Sequence, residues 1–137
     1  MSPNARRVVI AGVALALAPF VIRAGNRSLR NNAWQAQLTA IKSDLRNLAD
    51  AEEAYRTRTG SYAPILSLLG DSAFTGSTGV RLEIVAATDR RFEAAGTHEA
   101  FAPDARCTLT LDQASSESRT MDCQRFTTWA YRPRLAH

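Results

Sequence analysis

Trp34-Gln35-Ala36-Gln37-Leu38-Thr39-Ala40-Ile41-Lys42-Ser43-Asp44-Leu45-Arg46-Asn47-Leu48-Ala49-Asp50-Ala51-Glu52-Glu53-Ala54-Tyr55 is the stretch that decides the fold. Trp34, Leu38, Ile41, Leu45, Leu48, Glu52 and Tyr55 recur at alternating intervals of four and three, which aligns them on one helical face. Only Glu52 interrupts the apolar stripe. Lys42, Asp44, Arg46, Asp50, Glu53 and Arg56 are assigned to the opposite faces, and Gly60 supplies a stop just past the last turn. The spacing predicts a helix from about Ser28 to Arg58 whose stripe, with Trp34, Leu38, Ile41, Leu45, Leu48 and Tyr55, faces a core. A homodimeric coiled coil is the rival use of such a stripe. The strand-rich remainder of the chain offers it a partner without a second copy.

Downstream, Ser61-Tyr62-Ala63-Pro64 and the apolar turn Ile65 to Leu69 lead through the glycine-rich loop Gly76-Ser77-Thr78-Gly79 into an alternating pattern. Val80, Leu82, Ile84 and Ala86 alternate with Arg81, Glu83, Val85 and Ala87, the period of a half-buried strand. Asp89-Arg90 reads as a tight turn. Arg91 to His98 gives a second strand, Cys107 to Leu111 a third, and Thr120 to Cys123 a short fourth after the polar loop Asp112 to Arg119. Links this local favour an antiparallel meander over a crossover sheet. The expected class is α+β: a long N-terminal helix, apolar in its first half and amphipathic in its second, packed on a small three- to four-stranded antiparallel sheet. Residues 124–137, with Trp129 and Tyr131, have no convincing period and read as a tail.

The chain has 137 residues, with 17 basic against 13 acidic side chains and a formal charge of +4. Every basic residue except Lys42 is arginine, and they are scattered rather than run together. That scatter describes a solvated surface better than a nucleic-acid or anionic-lipid site. Cys107 and Cys123 are the only cysteines, at a spacing that fits neither C-x-x-C redox chemistry nor a zinc site. They read as a structural disulfide, which persists only in an oxidising compartment. The alternative is a pair of buried thiols in a reducing one.

Val8 to Ile22, Val-Val-Ile-Ala-Gly-Val-Ala-Leu-Ala-Leu-Ala-Pro-Phe-Val-Ile, carries no charge and lies between Arg6-Arg7 and Arg23. A helix of roughly fifteen residues rises about 22 Å. That is short of the hydrocarbon thickness of about 30 Å, so spanning requires local thinning or snorkelling arginines. The length equally suits the apolar region of a cleaved signal. Ala16-Leu17-Ala18 is followed by Pro19, a poor residue after a signal-peptidase cut, and this favours retention. Arg6-Arg7-Val8-Val9-Ile10 also fits the loose twin-arginine export pattern. The anchor is assigned to Val8, Val9, Ile10, Val13, Leu15, Leu17, Pro19, Phe20, Val21 and Ile22. Three segments follow: an apolar anchor with basic flanks at 1–27, a globular head at 28–123 and a tail at 124–137.

Ser43-Asp44-Leu45-Arg46-Asn47-Leu48, Ala51-Glu52-Glu53-Ala54-Tyr55 and Gly60-Ser61-Tyr62 resemble the end of the spine helix of bacterial type IV pilins and pseudopilins as it enters the head. Gly79-Val80-Arg81-Leu82-Glu83-Ile84, Phe92 to His98 and Cys107 to Leu111 resemble that head's first three strands, and the likeness covers about Ala36 to Cys123. It implies a non-enzymatic minor pilin or pseudopilin of a type IV pilus or type II secretion-like filament. It further implies a single-pass bacterial inner-membrane protein whose C-terminal head is periplasmic or part of an extracellular filament, with the inner membrane and other pilin-like subunits as partners. The family's processing motif, a glycine followed by an aromatic residue and, four residues further on, a glutamate, is not matched: Gly12 is followed by Val13, and Leu17 stands where the glutamate would fall.

No enzyme motif is present: no G-x-S-x-G, P-loop, H-E-x-x-H or dinucleotide fingerprint. Glu52 and Glu53 diverge by about 100° on a helix and cannot face one substrate. His98 beside Glu99 is the one polar pair of interest, better explained as a histidine satisfied at a sheet edge than as a ligand or catalyst. Asp104, His98 and a serine form no ordered triad motif. No cofactor, metal or small-molecule substrate is expected. A monomeric membrane-anchored binding module, with nucleic acid as a less favoured partner, and a secreted domain with a cleaved signal are the alternatives.

Overall fold

A computed structural model describes the backbone of residues 3–70 and 76–126, and the side chains of residue 29 and residues 31–70 and 76–126. The elements are helix α1 (Pro3–Thr59), a short 3-10 turn (Leu66–Leu69), and strands β1 (Val80–Ala87), β2 (Arg91–His98), β3 (Arg106–Asp112) and β4 (Arg119–Gln124). Contacts divide the chain into two compact units, Met1–Gln35 and Ala36–His137. The backbone of the first is helical from Pro3. The anchor residues Val8 to Ile22 lie outside the described side chains, and Trp129 and Tyr131 lie outside the described residues. Among the described residues no helix is long and apolar enough to cross a membrane.

The second unit is α+β, with the part of α1 from residue 36 to 59 packed on one face of a four-stranded antiparallel sheet in the order β1-β2-β3-β4. Ile41, Leu45 and Leu48 of the stripe are fully buried, while Leu38 and Tyr55 are half-buried. Trp34, half-buried, belongs to the first unit. Opposite the stripe, Phe92 and Ala94 of β2 and Cys107, Leu109 and Leu111 of β3 are fully buried. Register places them in rows, with Phe92 opposite Leu111, Ala94 opposite Leu109 and Gly96 opposite Cys107. Gly96 sets how closely the layers approach. A Cβ there would stand 2.8 Å from Ile41 Cγ2, 3.1 Å from Leu82 Cδ2 and 3.3 Å from Leu45 Cδ1. Only a residue without a side chain leaves the helix room to sit down on the middle of the sheet.

Local chemistry ends each element where the chain must turn. Gly60 takes φ +88°, and its N–H donates to the Arg56 carbonyl at 2.7 Å, closing α1 in the left-handed conformation that glycine tolerates. The Asp89-Arg90 turn is held by Thr88, whose Oγ1 accepts from the N–H groups of Arg90 and Arg91 while its own N–H donates to the Arg91 carbonyl. Cys107 and Cys123 sit directly opposite each other in β3 and β4 and are joined by a disulfide. Arg119, at the start of β4, reaches across to Asp50 at 2.8 Å and Glu53 at 3.2 Å on α1.

Three expectations change. The alternation in β1 does not run through to Ala86: Ile84 pairs with Ala94 but Ala86 with Glu93, so Val85 is a bulged extra residue, half exposed. The bulge moves Ala86 to the face away from the helix and Ala87 onto the helix side, opposite Phe92. Asp44, assigned to a solvent face, is 2% exposed. It lies between Ile41 and Leu48 on the buried flank, where its carboxylate has a partner described below. Gln124 belongs to β4 rather than to the tail.

Candidate functional site

Polar groups buried in an otherwise apolar head are the places where chemistry could reside, and Asp44, Glu52 and His98 are the ones buried among the described residues. Asp44 is fully used. Its Oδ2 accepts from the Ser77 N–H at 2.7 Å and its Oδ1 from the Ser77 hydroxyl at 2.9 Å, pinning the glycine-rich loop to the helix. The signal for this is present in the spacing, because position 44 stands three residues after Ile41 and four before Leu48.

Glu52 is 0% exposed. Its Oε2 accepts from the Ala63 N–H at 2.8 Å, and its Oε1 has no hydrogen-bond partner. Burial raises its pKa above the ordinary glutamate value, and the bond from Ala63 opposes that only in part. The cation one turn further on does not pair with it; the Arg56 guanidinium lies over the Tyr62 ring, 5.4 Å from its centroid. Tyr62 in turn packs on Phe92 and accepts from the Gln113 side-chain amide at 3.1 Å. The segment after Gly60 is thereby fastened to helix and sheet by one carboxylate and one ring.

His98 ends β2, and its Nδ1 accepts from the Ala100 N–H at 3.0 Å. A neutral ring that accepts there carries its proton on Nε2. Nε2 is buried without a partner, close against Gly79, whose Cβ, if it had one, would stand 2.8 Å away. The ring packs edge-on to Phe101, and Phe101 packs edge-on to Phe126. An open groove of about 350 Å³ lies here, lined by His98 with Arg81, Thr97, Glu99 and Phe101. With one nitrogen held by backbone and the other covered, the imidazole offers neither to a reactant. Asp104 does not join it: that carboxylate is exposed and bonded to Arg125 at 2.8 Å, and the guanidinium holds its pKa below the usual carboxylate range. Among the described residues no group of three or more His, Cys, Asp or Glu could hold a metal ion.

No protein-family model matches the chain, and no curated protein matches it in sequence.

Proposed function

We propose that the protein is a membrane-anchored, pilin-like structural subunit of a type IV pilus or type II secretion-like filament, acting through assembly rather than catalysis. The observation that carries this reading is the architecture of the second unit. An amphipathic helix, preceded in sequence by the apolar run Val8 to Ile22, packs its stripe on a four-stranded antiparallel meander whose last hairpin is closed by the Cys107–Cys123 disulfide. The apolar run would hold the subunit in the inner membrane and would pack against sister helices in a filament, while the head would face the periplasm or the exterior. The disulfide supports an oxidising compartment for the head.

Cell fractionation with mass spectrometry of the mature N-terminus tests the proposal. Full-length protein should sediment with membranes, with Val8 to Ile22 retained. Full-length protein soluble in the cytosol refutes it, as does a mature chain beginning near Pro19 or Gly25.

A further inference from the structure

β1 is an outer strand of the sheet, and among the described residues no strand pairs with its far edge. The Glu99 N–H donates to the Gly79 carbonyl at 3.0 Å, which identifies Gly79 and Glu99 as a hydrogen-bonded pair. Antiparallel ladders alternate, so Arg81 and Glu83 also turn their peptide groups toward β2, while Val80, Leu82 and Ile84 turn theirs outward. Of those outward groups, the Val80 N–H is taken by the Ser77 carbonyl at 3.1 Å. Arg81 and Glu83 are exposed on the face away from the helix, and neither has an ion-pair partner among the described residues.

We infer that β1 is an isologous interface whose occupant is a second copy of this chain, added antiparallel with Leu82 opposite the partner's Leu82. In that register the outward peptide groups of Leu82 meet their counterparts, and the Ile84 N–H meets the partner's Val80 carbonyl. Arg81 then faces the partner's Glu83, and Glu83 faces the partner's Arg81, at the closely spaced, non-hydrogen-bonded positions where side chains interact most. Val80 and the partner's Ile84 adjoin on the helix side. A slip of two residues either way sets Arg81 against the partner's Arg81 or Glu83 against the partner's Glu83, so the charges select one register. The bulge at Val85 ends regular pairing just beyond Ile84 and keeps the added ladder short. A two-fold contact of this kind closes on itself. It goes beyond the pilin-like reading and depends only on the head.

The test is charge exchange in the full chain, by sedimentation equilibrium in detergent. Arg81→Glu and Glu83→Arg should each weaken self-association about tenfold by opposing like charges. The double variant should restore it, and an equimolar mixture of the single variants should associate about tenfold more tightly than either does alone. High salt should weaken the wild-type contact. Both sites are exposed, so thermal unfolding of the variants should match wild type and exclude misfolding as the cause. Single variants that associate like wild type overturn the inference, as do a double variant or mixture that fails to recover association, or a wild-type chain that stays monomeric at about millimolar concentration.

Discussion

The carboxylate of Glu52, fully buried, receives the backbone N–H of Ala63 at 2.8 Å, while its second oxygen receives nothing. Its burial makes the head's stability depend on pH in an unusual direction. Because burial raises the folded-state pKa above the unfolded value near 4.5, the folded state holds the proton more tightly. The contribution is fully present below the unfolded value and is lost as pH rises through the folded one. Glu52→Gln keeps an acceptor for Ala63 without the charge. Urea denaturation at pH 4 and pH 7 should show wild type losing stability relative to Glu52→Gln on going to pH 7.

Gly96→Ala forces a methyl group into the space held by Ile41 Cγ2. Since Ile41 is fully buried on a helix that cannot shift freely, the substitution should cost about 1–3 kcal/mol. The midpoint of urea unfolding reads it.

Breaking the cross-strand bond with Cys107→Ser and Cys123→Ser together frees a loop with a sequence separation of 16. In the chain-entropy treatment the loss is about 3 kcal/mol. Thermal unfolding of the double variant should show it, and a reducing agent should lower wild-type stability by a similar amount.

Asp44→Ala leaves the Ser77 N–H without its acceptor and releases the glycine-rich loop from α1. A loss of about 1–3 kcal/mol is expected. Hydrogen exchange at the Ser77 amide should accelerate by more than global unfolding accounts for, because the opening is local.

Much of the head is readable from the amino-acid sequence. The stripe from Leu38 to Tyr55 locates the helix face, because four-three spacing has no other geometric reading over that length. Short polar links between alternating segments imply a meander, and β2 spans the residues expected of it. What escapes has identifiable causes. Val85, Ala86 and Ala87 are all apolar, so alternation stops carrying phase at the point where the bulge occurs. The charge of Asp44 argues for an outward position, whereas its place beside Ile41 and Leu48 turns it inward; two hydrogen bonds from one distant residue, Ser77, compensate the carboxylate for its burial. Glu52 is visible as an interruption of the stripe, but its acceptor role toward Ala63 depends on how the chain returns after Gly60, which no periodicity encodes. Nor does spacing foretell that His98 is spent on the Ala100 amide and the flank of Gly79.

The reach of Arg119 to Asp50 spans 69 positions of sequence. During synthesis the helix is therefore complete long before the strand that clasps it exists. The faces of Ile41, Leu45 and Leu48 must wait, wet and uncovered, for β2 and β3 to arrive, and the thiol of Cys107 must wait for Cys123. Contacts of such separation form late and slowly. The nascent chain thus passes through a stage in which its most adhesive surface is its own helix, and the last residues of the sheet determine when that stage ends.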